Sequence, residues 1–375
     1  MRKPTKTWVF FSALPPFRGG ISKFSMCVLE ALRQQQNVKA FTFIKQYPNF
    51  LFPGSSQFDT AAQTVHFKRV VSTFNPLTYL VAALRFRKEK PAVFVTSYWM
   101  TFMAPMMVFW TWFLPKSTQK IAIIHNLNPH EKRFFDVFFN RLFLNAYDAF
   151  VVLSAAVQNE VMALRPQARV IVLPHPPYEA KPTTLSKEEA CAALDLDPQK
   201  KTLLFFGLIR PYKGLSELIA AFELLDESYQ LLIAGEVYGD PKVYLEALNK
   251  LPHKNWKFVS TYIPENDVAS YFRAADLVVL PYLSATQSGV RALALTQERA
   301  VLCTNAGGLA EGLSTNGQGF ELHSTQPVDF ASRVQSLFNQ GDIHRCNEHL
   351  ALNKLNLDDA WSQFAKGLIN LAERG

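Results

Sequence analysis

The sequence predicts an α/β protein of two doubly wound, Rossmann-like domains facing a central cleft, and three observations carry that expectation. Short apolar runs of strand character alternate with helix-periodic runs along the whole chain, the pattern of parallel sheets covered by helices. The 375 residues are too many for one ordinary core, and a proline-rich polar stretch, residues 174–182, divides them near the middle. Each half also opens with a strand, a loop holding glycine and cations, and a helix, in that order.

The first domain is expected over residues 1–176. Trp8, Val9, Phe10 and Phe11 form an apolar run that Pro15 and Pro16 stop. It is too short for a secretory leader and reads as the first strand, 7–13. Arg18, Gly19 and Gly20 follow as the loop, and 21–32 as the helix. Further strands are expected at 39–44, 92–96, 120–125, 149–153 and 169–173. From Tyr98 to Leu114 seventeen residues carry no charge. That length lies at the lower edge for a membrane span and Pro105 interrupts it, so a buried or half-submerged helix is favoured over a spanning one. Residues 132–143 set a wide aromatic face beside Lys132, Arg133 and Arg141. Packing on the sheet is one reading; together with 98–114, Lys68 and Arg69, peripheral contact with a membrane is the other.

The second domain is expected over residues 177–357, with strands at 202–207, 230–234, 256–259, 277–280 and 300–304. Residues 358–375 read as an amphipathic helix, through Trp361, Phe364 and Leu371, that crosses back to brace the first domain.

The most informative stretch begins at the second domain's first strand. The apolar run ends at Gly207, crosses a loop with Arg210, Lys213 and Gly214, and enters a helix at Leu215. Strand, glycine loop and helix bring backbone N–H groups and a positive helix end to one point, and two cations there make a seat for a diphosphate. The bland alternative is a surface turn with solvated cations.

Composition narrows the classes. Hydrophobic residues are 49% and charged residues 19%, Phe occurs 31 times and the net charge is +8; the chain is a core-forming globular protein with a taste for anionic partners. Nucleic acid is set aside, because no run of five Lys/Arg and no reading motif occurs. Cys27, Cys191, Cys303 and Cys346 are widely spaced, as isolated thiols in a reducing compartment, so the protein is expected in the cytoplasm, on the inner face of the membrane if it touches one. Asp195-Leu196-Asp197 has a metal-binding look, but it precedes a strand and so falls at the wrong end of the sheet. His344, Cys346 and His349 lack a fourth partner. His130 and Glu131 read as a solvated loop or an acceptor contact, and no metal is expected.

Over most of its length the chain resembles the retaining glycosyltransferases of the GT-B fold numbered family four. The points of resemblance are Gly207, Arg210, Lys213 and Gly214; Ala234-Gly235-Glu236; Ala275-Asp276 through Leu280-Pro281; and Thr304-Asn305-Ala306-Gly307-Gly308 with Glu311. More loosely they include Gly19-Gly20 and His125-Asn126. The resemblance implies transfer of a hexosyl group from a nucleotide-diphosphate sugar, with no cofactor and no metal, to a lipid-linked or polysaccharide acceptor in bacterial envelope or exopolysaccharide synthesis. It implies that Arg210 and Lys213 grip the donor diphosphate, that Gly19 and Gly20 approach it through backbone, and that His125 stands near the transferred sugar. Glu236 is a candidate donor contact, and Glu311 either caps a helix or approaches a sugar hydroxyl.

One departure qualifies it. Ala285 and Leu293 stand where the family often has two glutamates with seven residues between them. Thr286, Gln287, Ser288 and Gly289 remain there to bond sugar or phosphate oxygens. A non-catalytic nucleotide-sugar-binding protein, a sensor or partner subunit, is therefore the rival, with a nucleotide-sugar epimerase behind it.

Overall fold

The computed structural model describes residues 6–47, 57–58, 66–128, 134–178, 185–286, 288–353 and 357–374. The chain divides into two compact units, Met1–Pro176 with Asp358–Gly375, and Pro177–Leu357. His130, Glu131, Lys132, Arg133 and Gln287, and the last residues of the proline-rich stretch, lie outside the described residues.

The first unit alternates strand and helix: β1 Thr7–Phe11, α1 Gly20–Arg33, β2 Asn37–Lys45, β3 Lys68–Ser72, α2 Leu77–Lys88, β4 Val93–Tyr98, α3 Ala104–Thr111, β5 Gln119–Ile124, α4 Asp136–Ala146, β6 Ala149–Val152, α5 Ala155–Leu164 and β7 Val170–Val172. Its seven strands run parallel in the order β3-β2-β1-β4-β5-β6-β7. The order reverses at β1, so the crevice beside the carboxyl end of β1 is where such a sheet takes a ligand, and the Gly19-Gly20 loop follows that end.

The uncharged stretch from Tyr98 to Leu114 is mostly interior. Tyr98 ends β4, stacks on Phe143 at 3.9 Å and donates to Asn140 Oδ1 at 2.6 Å. Pro105 occupies the first turn of α3, where a missing N–H costs nothing, and Met106, Met107 and Trp110 are buried. No helix of the described residues is long and apolar enough to cross a membrane. Arg69, part of the expected membrane face, is exposed on the edge strand β3. Its guanidinium donates to the carbonyls of Phe43 and Ile44 and lies over the Phe58 ring, so it is committed to its own sheet edge.

The second unit follows the same plan: α6 Lys187–Ala193, β8 Lys201–Phe206, α7 Leu215–Phe222, β9 Tyr229–Ala234, α8 Lys242–Asn249, β10 Trp256–Val259, α9 Val268–Ala274, β11 Leu277–Leu280, α10 Gly289–Thr296, β12 Ala300–Thr304, β13 Gly319–Leu322, α11 Pro327–Asn339 and α12 Asp342–Leu352. Its parallel order is β10-β9-β8-β11-β12-β13, with the reversal at β8. The last helix, α13 Leu357–Glu373, packs in the first unit. Its Trp361 and Phe364 rings stand 5.4 and 5.5 Å from Phe24 of α1. Arg169 donates to the Leu371 carbonyl at 3.0 Å.

Candidate functional site

In the second unit the loops after β8, β9 and β11 meet at the carboxyl ends of the strands. β8 is buried from Thr202 to Phe206. Beyond it Ile209 bridges Val237, donates to the Glu236 carbonyl at 2.8 Å and accepts from Tyr238 N–H at 2.8 Å, so the two loops prolong the β8–β9 pairing. Gly235 makes this possible: a Cβ there would come within 2.0 Å of the Gly207 carbonyl oxygen. Gly214, with φ +72°, starts α7 in the left-handed region and its missing Cβ would lie 2.0 Å from the Pro281 carbonyl oxygen. Leu283 N–H donates to the Tyr212 carbonyl at 2.8 Å, which clamps the β8 and β11 loops together.

Both predicted cations rest on aromatic faces. The Arg210 guanidinium sits 4.5 Å from the Tyr238 ring and 5.6 Å from Tyr212, and the Lys213 ammonium 5.2 Å from the Tyr282 ring. Lys213 Nζ also lies 3.9 Å from where a Cβ on Gly207 would stand. Burial, and secondarily the like charge of Arg210, pull the Lys213 amine below the ordinary lysine range. An anion bound there would relieve the second cause.

Ser288 caps α10, accepting from Val290 and Arg291 N–H at 3.2 and 3.4 Å, with the Tyr282 hydroxyl 3.3 Å away. Tyr282 is buried, which pushes its phenol up to about 12, so it remains a neutral donor. Gly289 is exposed at the helix start, and Thr286 is buried with its carbonyl accepting from Gly308 N–H at 3.2 Å. Glu236 is half-buried, its carbonyl already used in the loop pairing. Arg291 donates to the Leu309 and Glu311 carbonyls at 2.8 and 2.7 Å, pinning α10 to the next loop. Glu311 itself lies in a run of turns over 307–317, so the expected helix cap is corrected: no helix begins there. The structure thus gathers Gly207, Arg210, Lys213, Glu236, Ser288 and Gly289. It adds Tyr238 and Tyr282, which the sequence analysis missed although Tyr282 directly follows an apolar strand and Pro281.

The first unit carries the other candidates. His125 ends the β5 run, its N–H donating to the Tyr98 carbonyl at 2.9 Å. Its ring meets Phe24 edge-on at 4.8 Å, and its buried Nε2 has no hydrogen-bond partner among the described residues. Burial, then the nearby His175, pull its imidazole down to about 3. A neutral imidazole is suited to accept or orient a hydroxyl rather than to carry charge. Gly19 and Gly20 have open space on their Cβ side, and no side chain caps α1.

The metal-like patterns lead elsewhere. Asp195 and Asp197 lie in the turn before β8, at the opposite ends of the strands, where Asp197 accepts from Gln199 N–H and Gln230 Nε2. Cys346 is buried against the Gly317 carbonyl and His344 pairs with Glu348. Among the described residues no group of three His, Cys, Asp or Glu side chains is placed to hold a metal ion.

Residues 186–350 match the family model of glycosyl transferases group 1. That stretch holds every loop of the second-unit site. A D-inositol 3-phosphate glycosyltransferase of Pseudarthrobacter chlorophenolicus is 30% identical over 152 residues, 38% of this chain and 36% of that protein. The match thus spans about a third of the curated relative's length. Among solved structures, Anabaena HepE in complex with UDP-glucose is similar with TM-score 0.76 at 14% identity, over 97% of this chain and 99% of that one. A sucrose-phosphate synthase from Thermosynechococcus elongatus is similar with TM-score 0.73 at 16% identity, over 99% and 100%. The fold is therefore GT-B: two Rossmann-like units, each with a parallel sheet.

Proposed function

We propose that this protein is a retaining glycosyltransferase that moves a hexosyl group from a nucleotide-diphosphate sugar to a lipid-linked or polysaccharide acceptor in envelope or exopolysaccharide synthesis. The carrying observation is the pairing of Arg210 and Lys213 on one loop, beside the Ser288-capped start of α10, at the carboxyl ends of β8 and β11. Cleaving a glycosyl–phosphate bond builds negative charge on the departing diphosphate. Cations and N–H dipoles fixed there favour the transition state over the ground state, so no metal or cofactor is required. The likeness to a structure holding UDP-glucose supports a nucleotide-sugar donor.

In this reading Arg210 and Lys213 neutralise the leaving group. Gly207 and Gly289 let backbone approach it, and Glu236, Thr286, Gln287 and Ser288 supply polar contacts to sugar or phosphate oxygens. In the first unit, the backbone of Gly19 and Gly20 and the neutral imidazole of His125 are assigned to sugar or phosphate recognition. The experiment is release of nucleoside diphosphate from a panel of nucleotide sugars. One donor should be consumed, and Lys213→Ala should lower kcat/KM by about 100-fold or more while the melting temperature holds. Ala285 and Leu293, standing in place of paired carboxylates, favour a second reading, donor binding without turnover. A panel in which one donor binds tightly and none is consumed would establish that reading instead.

A further inference from the structure

The helices α2, α3 and α4 form one layer of the first unit, with α3 packed against both neighbours. Their outward face is unlike that of an ordinary soluble helix layer. On α2, Leu77, Leu80, Val81 and Leu84 recur at i, i+3, i+4 and i+7 and are exposed, Leu77 at 81%, while the core side holds Ala82, Ala83 and Phe86. At the end of α3, Trp112 is 73% exposed. At α4, Phe134 is 98% exposed, and Val137, Phe138 and Leu142 continue the stripe.

Among the described residues of these helices the exposed charges have one sign. Across the three helices the only acidic side chain is Asp136, which is buried, whereas Arg85, Arg87, Lys88 and Arg141 are all exposed. Large apolar and aromatic residues interleaved with cations are what the boundary of an anionic bilayer selects, aromatic rings lying at headgroup depth and cations on the phosphates. A second copy of this chain is a poor occupant, since an isologous contact would bring the same cations against one another.

We propose that the outward face of α2, α3 and α4 docks on an anionic lipid bilayer. This rests on the lipid-linked acceptor of the proposed function, and it assigns the surface by which the enzyme would reach that substrate. It also redraws the expected membrane face: α2 joins it, and of 98–114 chiefly Trp112 remains on it.

The test floats the full chain with phosphatidylcholine vesicles, with and without phosphatidylglycerol, at low and high salt. Partitioning onto the anionic vesicles should exceed that onto the neutral ones by at least about tenfold and weaken with salt. Leu80→Gln/Leu84→Gln/Phe138→Ser and, separately, Arg85→Gln/Arg87→Gln/Lys88→Gln should each cut it about tenfold or more, with the melting temperature and donor consumption unchanged. Equal partitioning onto both vesicles, no partitioning, or variants that bind like the parent would overturn the proposal. So would a concentration-dependent oligomer that the apolar variant dissolves in the absence of vesicle binding. Vesicle binding without consumption of any donor would instead sink the glycosyltransferase reading and leave the surface standing.

Discussion

At the scale of single residues, the chain places charge where an anion can use it and removes charge where none is wanted. Arg210 and Lys213 rest on tyrosine faces, which hold the two cations at one loop. His125 shows the opposite treatment. Enclosure holds it neutral, down to about 3, and the half-buried His175 is held down to about 4, chiefly by burial in both cases. Because an unfolded histidine titrates near 6.5, the unfolded chain binds more protons than the folded one below that pH. Their contribution to stability is complete above about 6.5 and drains away as the pH falls toward 4 and then 3. Denaturant melts between about pH 7 and pH 5 should show stability falling by up to about 1.4 kcal/mol per pH unit from each of His125 and His175. His125→Phe should roughly halve that slope, leaving the share of His175, and an unchanged slope would show that the His125 imidazole is not a titrating group. The cations were legible because they stand in a motif with glycines at fixed offsets. The tyrosines beneath them were not, since Tyr238 and Tyr282 lie on other loops that only folding brings near.

At the scale of elements, the site depends on loops being held at backbone distance. Gly214 is both left-handed and pressed on Pro281, so Gly214→Ala should cost roughly 3 kcal/mol or more and displace the β11 loop. Ser288→Ala should cost about 1 kcal/mol, the loss of one helix cap. Thermal melts of the two variants check the ranking; an Ala at position 214 that melts like the parent would remove the argument for close approach. The central strands were readable as buried apolar runs, within a residue or two of their observed ends. The edge strands β3 and β13 were not, because each is short and carries charged or polar residues that a sheet edge tolerates and a pattern search discards. The stretch after Gly307, where Gly308, Gly312 and Gly317 recur, folds as successive turns, its conformation tied by Arg291 to α10.

At the scale of the whole molecule, α13 closes the first unit although the second unit precedes it in the chain. Trp361, Phe364, Ala365, Leu368, Ile369 and Leu371 are buried there. Deleting residues 357–375 should destabilise the first unit by several kcal/mol, at roughly 1.5 kcal/mol or more per large apolar side chain lost. Limited proteolysis should then digest the first unit while a fragment spanning the second persists; a truncated chain as resistant as the parent would contradict this. What the amino-acid sequence determined alone was local: alternating periodicity set the two α/β units, and a strand, glycine and two cations marked the proposed diphosphate seat. Those signals live within a dozen residues, so they survive without a fold. The tertiary structure decided which side chains become neighbours across the sheet: the tyrosines under the cations, the ring cluster that neutralises His125, and the apolar cationic face shared by three helices. Such contacts depend on strand order and on which side of a helix the core occupies, and neither is written in the spacing of any one segment.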